Sequence, residues 1–336
     1  MTEALLYEKR NGKKVACMLC GHRCVIPDGA FGICGVRQNI DGSLFTSSYE
    51  NLISANADPI EKKPIFHLLP GSLSYSVATA GCNFHCDFCQ NWQISQKSEA
   101  DDFGVRSTPV SARQVVENAQ RYRCQSISYT YTEPTIFFEY ALQIAQLAKE
   151  EGLRNIFVTN GYMTRECLDM LSGILDAANV DLKGFSDDFY RKVCGGRLRP
   201  VLDSIEYMRG LNIWVEVTTL LVPELNDGEK ELRQIASFLA GVGKEVPWHI
   251  SRFHPQYKMD DREPTPIATL QKAQRIGKEA GLRYVYLGNV PGEGETTFCY
   301  HCNELLVKRV GYFVEKNIVK EGRCPKCESA IEGIWK

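Results

Sequence analysis

The sequence predicts an α/β fold: a partial (β/α)6-type barrel between a cysteine-rich N-terminal segment and a zinc-ribbon-like C-terminal tail. Three observations carry this. Strand and helix patterns alternate from residue 71 to residue 290, which calls for a parallel sheet with helices outside it. Tight cysteine groups stand in both flanks and at the first strand of the alternating region. Polar residues of unusual type fall at the ends of successive strands, where barrels of this kind place their chemistry. The chain thus divides into a metal-binding segment 1–70, a barrel region 71–290 and a tail 291–336.

Residues 1–70 read as loop-rich, with turns at Asp58-Pro59 and Lys63-Pro64. The first strand, 74–80, delivers a cysteine triplet. Ser111 and Gln114 form a capping box for a helix with Val115, Val116, Ala119 and Tyr122 on one face. A strand at 126–131, a helix at 136–149, a strand at 155–159, a helix at 165–175 and a strand at 179–182 follow. Pro200 opens a helix carrying Val201, Ile205, Met208 and Leu211. Residues 213–222, rich in Val, Thr and Leu, form a long strand. Asp227 caps a helix through Leu239, and 248–253, 270–280 and 283–287 complete the series as strand, helix and strand. At the strand ends stand the cysteine triplet, Glu133, Asn160, Lys183 and His254.

A formal net charge of −2 argues against a chain-wide grip on nucleic acid. No apolar run reaches the length of a membrane span or a signal peptide, so a cytoplasmic protein without membrane contact is expected. A reducing cytosol disfavours disulfides among the 14 cysteines, and tight grouping means metal. Cys124, Cys167 and Cys194 stand alone and read as small core residues.

Cys82, Cys86 and Cys89 are spaced C-x3-C-x2-C. Three thiolates this close can hold three irons of a [4Fe–4S] cluster and leave the fourth open to a small molecule. The other reading is a zinc knuckle borrowing His85 or His67. In the tail, Cys299-x2-Cys302 and Cys324-x2-Cys327 flank a strand-like stretch and read as a structural zinc ribbon, with a rubredoxin-like iron or an auxiliary cluster as the alternative. Cys17, Cys20, Cys24 and Cys34 could bind zinc or an auxiliary iron–sulfur cluster, and their spacing leaves both open.

The triplet, with Phe88 just before its last cysteine, resembles the radical S-adenosylmethionine (SAM) superfamily. Residues 70–290 resemble its activating-enzyme branch, which includes pyruvate formate-lyase activating enzyme. Nearly the whole chain is similar to the radical SAM member of the AmmeMemoRadiSam system. That likeness rests on the first cysteine group with Gly32-Ile33-Cys34-Gly35-Val36-Arg37, on Asp58-Pro59-Ile60-Glu61-Lys62-Lys63-Pro64, on Ser251-Arg252-Phe253-His254-Pro255 and on the tail cysteines.

The resemblance implies a [4Fe–4S] cluster on Cys82, Cys86 and Cys89 that binds SAM and cleaves it to a 5′-deoxyadenosyl radical. Glu133 matches the acidic residue that holds the SAM amino group, with Tyr131 and Thr132 replacing two glycines. Asn160, in Thr159-Asn160-Gly161, matches an element near SAM, but Val158 stands where the branch carries an acid. Asp181 and Lys183 match a pair facing the SAM carboxylate or sulfonium, and His254 matches a histidine contacting ribose or substrate. An unidentified small-molecule or protein substrate, a reductase or flavodoxin-type electron donor, and Memo-like and AMMECR-type partners are implied too. Activation of a glycyl-radical enzyme is one alternative, since Arg309-Val310-Gly311-Tyr312 resembles a glycyl-radical loop, although it also reads as a ribbon strand. RNA modification or binding through the ribbon is the other.

Overall fold

A computed structural model describes residues 1–96, 109–290, 292 and 294–336. Residue 291, where the tail is expected to begin, lies outside them. The centre is an eight-stranded sheet whose strand order follows the chain. Its strands are β1 (Leu52–Pro59), β2 (Leu73–Thr79), β3 (Ser126–Tyr129), β4 (Arg154–Thr159), β5 (Ala177–Asp181), β6 (Trp214–Leu221), β7 (Trp248–Arg252) and β8 (Val285–Gly288). β1 pairs antiparallel with β2, and β2 to β8 are parallel throughout. Between successive parallel strands stand α1 (Ala112–Arg121), α2 (Phe138–Glu150), α3 (Arg165–Leu171), α4 (Leu198–Gly210), α5 (Glu229–Val242) and α6 (Ile267–Glu279). This is the expected alternation.

Local chemistry sets the boundaries. The Ser111 hydroxyl accepts from the Gln114 N–H at 3.3 Å, and the Gln114 side chain accepts from the Ser111 N–H at 2.8 Å, completing the capping box. Val115, Val116 and Ala119 are buried, whereas Tyr122 is 54% exposed and stacks on Tyr75. α3 stops at Leu171, short of the expected 175, because the chain turns through Gly173 at φ 69°. Asp227 does not cap α5. Gly228 holds that position, and the Asp227 carboxylate accepts from the Glu224 N–H at 2.9 Å. A short polar side chain can close a turn as readily as a helix end.

Residues 1–70 hold more strand than expected. Thr2–Glu3, Arg37–Ile40 and Ser43–Thr46 form one antiparallel sheet; Tyr7–Lys9, Val15–Cys17 and Val25–Ile26 form another. Strands of two to four residues are too short to show a period in sequence. β1 hides for a different reason: its Ala, Asn and Asp residues have low strand propensity, and the ladder with β2 supplies its order.

In the tail, Thr297–Phe298, Leu305–Val310 and Phe313–Asn317 form an antiparallel sheet, and Gly311 turns its hairpin at φ 58°. Arg309-Val310-Gly311-Tyr312 is therefore a strand end and its turn. Leu306, Val307 and Ile331 of the tail pack with Phe66, Tyr284 and Tyr286. Arg309 is buried, donating to the Phe66 carbonyl at 2.8 Å and lying 3.5 Å from Glu61. Lys308 pairs with Glu315 and Lys326 with Glu304, which thins the basic stripe an RNA-binding tail would present. Among the described residues no helix is long and apolar enough to cross a membrane.

Beneath the tail, a buried carboxylate ties three segments together. Glu216 of β6 accepts from the Phe66 and His67 N–H groups at 3.0 and 2.8 Å, from the Trp214 indole at 3.1 Å, and from His249 at 2.6 Å. Burial opposes its charge, but these donors hold its pKa down at about 2. Neighbouring His67 is held neutral: burial lowers its pKa to about 4, one ring nitrogen faces the Glu332 carbonyl and the other Tyr286 Oη.

Both shifts act in the same direction. The unfolded chain binds the His67 proton below about pH 6.5 and the folded chain only below about 4. Glu216 binds its proton near 4.5 when unfolded and near 2 when folded. Stability should therefore fall as pH drops from about 6.5 to 4 through His67, and on from about 4.5 to 2 through Glu216. Urea midpoints measured between pH 7 and 4 should decline, and His67→Gln should flatten the upper part of the decline. A midpoint constant from pH 6.5 to 4.5 in the wild type would refute this.

Candidate active site

The C-terminal ends of the parallel strands converge on a cavity of about 360 Å³. Cys82, Cys86 and Cys89 line it from the loop after β2. Thr132 and Glu133 follow β3, Asn160 follows β4, and Asp181 and Lys183 stand at the end of β5. His254 is exposed and outside the lining; from β7 it is Ser251 that contributes.

The cysteine loop is held by its backbone. The Gly81 N–H donates to the Ile94 carbonyl at 2.9 Å, the His85 N–H to the Cys194 carbonyl at 2.9 Å, and the Asp87 N–H to the Val193 carbonyl at 3.0 Å. The acceptors Val193 and Cys194 close a π turn, Tyr190–Cys194, of a kind often found at functional sites. Gly196 lies against the Phe84 ring so closely that a Cβ there would come within 2.3 Å of it. Cys194, expected as a plain core residue, therefore abuts the triplet. Its thiol donates toward Cys86 and, against burial and with Lys183 nearby, pulls the Cys86 pKa down. Cys82 moves the other way, raised by burial and by the Glu133 carboxylate.

The sulfurs of the triplet are spaced unlike those of the compact cysteine group in the tail. A tetrahedral Zn–S distance near 2.3 Å sets sulfurs about 3.8 Å apart. Among the described residues, the tail sulfurs of Cys299, Cys302, Cys324 and Cys327 all lie within 4.8 Å of one another, and those of Cys82, Cys86 and Cys89 do not. His67 is spent on Glu332 and Tyr286, and His85 on Gln96. A cluster in which each thiolate binds a different iron fits the wider set. The buried, unpartnered Nδ2 of Asn83 beside Cys82 adds a free donor next to it.

Glu133 is the hub of the wall. One carboxylate oxygen accepts from the Thr135 N–H at 3.0 Å, the Thr135 hydroxyl at 2.5 Å and the Thr159 hydroxyl at 2.7 Å. The other accepts from the Asn160 N–H at 2.8 Å. Burial raises its pKa against these donors. The Asn160 amide is engaged as well, donating to Asn83 at 2.7 Å and accepting from the Tyr162 N–H at 3.0 Å. Lys183 Nζ sits 3.0 Å from Asp181; burial works against its charge, but Asp181 and Cys86 raise its pKa.

Of the two residues expected to replace glycines, Tyr131 has a geometric counterpart. Tyr131 takes the left-handed backbone that glycine adopts freely, φ 66°. Its hydroxyl donates to Asp58, and its carbonyl accepts from Asn91 at 2.8 Å. Asp58 also binds Lys62 and Lys63, at 2.9 and 2.8 Å, so its carboxyl stays well below the usual range despite burial. Lys63 lies 4.7 Å over the Tyr131 ring, and burial lowers its pKa to about 8. Lys62, Lys63 and Tyr312 line the cavity. The Asp58–Lys63 stretch was conspicuous in sequence but had no role; Tyr312, brought in by the tail hairpin, carried no signal.

Comparisons agree with this geometry. Residues 76–239 match the model of the Radical SAM superfamily. The chain is 45% identical to uncharacterized protein MJ0808 of Methanocaldococcus jannaschii, covering 99% of each. It is 20% identical to the pyruvate formate-lyase 1-activating enzyme of Escherichia coli K12, over 61% of this chain and 89% of that one. The crystal structure of Streptococcus suis SuiB bound to S-adenosylmethionine has a TM-score of 0.51 at 11% identity, covering 68% of this chain and 53% of SuiB. That last likeness concerns the fold alone.

Proposed function

Because the chain belongs to the radical SAM superfamily and is related to pyruvate formate-lyase activating enzymes, we propose that it cleaves S-adenosylmethionine reductively at a [4Fe–4S] cluster held by Cys82, Cys86 and Cys89. When bound, cluster and SAM supply a 5′-deoxyadenosyl radical that takes hydrogen from a substrate. The observation that carries this reading is the convergence of the three thiols with Glu133, Asn160, Asp181 and Lys183 on one cavity.

Each residue has a task in that reading. Lys183, kept charged by Asp181, offsets the negative charge of the thiolates and orients the SAM carboxylate. The Glu133 oxygen with a single protein donor keeps a lone pair for the SAM ammonium. Thr132 and Asn160 border the bound methionine moiety, and His254, exposed beyond the cavity lining, meets only a ribose or substrate group that extends past its rim. The strand ends belong to a partial (β/α)6-type barrel, and the four tail sulfurs hold zinc as a structural staple. The substrate is a small molecule or a protein, and the electron comes from a reductase or flavodoxin-type donor. Memo-like and AMMECR-type proteins are its pathway partners, in the cytoplasm.

Anaerobic protein mixed with SAM and dithionite is expected to release 5′-deoxyadenosine, measured by chromatography. Protein that holds a reduced [4Fe–4S] cluster and releases none would overturn the proposal.

A further inference from the structure

Three cysteine sets in this chain can be compared with one another. The tail sulfurs are drawn together, with Cys299–Cys327 at 3.6 Å and Cys302–Cys324 at 3.7 Å, near the tetrahedral value for one metal ion. The set at Cys17, Cys20, Cys24 and Cys34 differs. All four line one small, largely enclosed pocket with Leu19 and Ile26. Yet among the described residues no three of its sulfurs fall within 4.8 Å of one another. In this they match Cys82, Cys86 and Cys89. A single zinc would need every pair near 3.8 Å. Thiolates that bind different irons of a cluster stand farther apart.

Burial disfavours free thiolates in this pocket, and local donors offset it in part. Backbone N–H groups point at the sulfurs: that of His22 at Cys20, that of Ile33 at Cys24, and those of Val36 and Arg37 at Cys34. The buried Arg37 guanidinium donates to Cys17 Sγ at 3.4 Å and is held by Glu139 of α2. Gly32 forms part of the wall, and a Cβ there would lie 3.9 Å from Cys24 Sγ. The pocket adjoins the first site. A Cβ on Gly81, the residue before Cys82, would lie 3.2 Å from the Cys34 carbonyl, and His22 Nε2 lies 2.7 Å from the Asn83 carbonyl.

We propose that Cys17, Cys20, Cys24 and Cys34 hold a second iron–sulfur cluster rather than a single metal ion. Every coordination position left to the protein is filled by cysteine, so this cluster is closed to SAM. The inference borrows the Cys82–Cys89 set as its ruler and to that extent rests on the proposed function, but its test does not.

The test uses protein purified anaerobically from iron-replete cells, without reconstitution, carrying Cys82→Ala, Cys86→Ala and Cys89→Ala. It should retain iron and acid-labile sulfide in equal amounts, about two or four of each per chain. After dithionite it should give a paramagnetic signal that SAM leaves unchanged. Adding Cys20→Ala and Cys24→Ala should remove the sulfide. Sulfide-free protein with metal bound to the N-terminal cysteines would overturn the proposal. If the triple variant does not fold, wild-type protein decides. Iron and sulfide clearly above four per chain support a second cluster, and four of each with zinc at the N-terminal set overturns it. Loss of SAM cleavage alone would bear on the first site only.

Discussion

Replacing Cys82, Cys86 and Cys89 with alanine should abolish 5′-deoxyadenosine release, by at least about a thousandfold, while leaving the protein folded. The loop carrying them depends on backbone bonds from Gly81, His85 and Asp87 and on the fit of Phe84 against Gly196, Tyr162 and Tyr190. None of these uses a sulfur; the substitution gives up the weaker contacts of the Phe84 N–H with Cys82 Sγ at 3.3 Å and of Ser95 Oγ with Cys89 Sγ at 3.1 Å. Removing the thiols therefore removes the iron ligands and leaves the scaffold. Release, iron content and a thermal melt should be measured on the same sample. Release within tenfold of wild type from a variant lacking iron at this site would refute the assignment. A lost cooperative melt would refute the claim that the loop holds without its sulfurs, and a single Cys89→Ala variant would then test the chemistry.

The second large effect is expected at Glu133. In Glu133→Ala, the N–H groups of Thr135 and Asn160 lose their acceptor inside a buried wall, at a cost of about 3 kcal/mol. Glu133→Gln keeps an acceptor for the three donors from Thr135 and Thr159 and turns an NH₂ toward the Asn160 N–H. Its stability cost should be about 1–2 kcal/mol. It also removes the charge offered to the SAM ammonium, so SAM affinity should fall about tenfold or more. Denaturant unfolding and a SAM titration of the reduced cluster read the two effects separately. A Gln variant that is less stable but binds SAM as wild type does would make Glu133 a positioning residue only.

The two sites differ in how they could be read from sequence. Cysteines bound to one cluster lie close along the chain because a short loop must wrap it, so Cys82, Cys86 and Cys89 were legible from spacing. Strand ends were legible because β and α patterns alternate, and these brought Glu133, Asn160 and Lys183 to one cavity. The role of Tyr131 was not. Its hydroxyl donates to Asp58, which lies 73 residues away in β1. Cys194 looked like a core residue because its contact with Cys86 spans 108 positions.

The sequence by itself determined the alternating α/β order, the position of the cysteine triplet and the residues at the strand ends. Each follows from a local rule of periodicity or ligand spacing acting over a few residues. Tertiary structure alone decided that β1 joins the central sheet, that Lys62, Lys63 and Tyr312 reach the cavity, and that His67 is locked beneath the tail rather than beside the cysteines. It alone separated the compact tail sulfurs from the wider N-terminal set. Spacing along a chain fixes which thiols can meet; the packing around them fixes how far apart they stand.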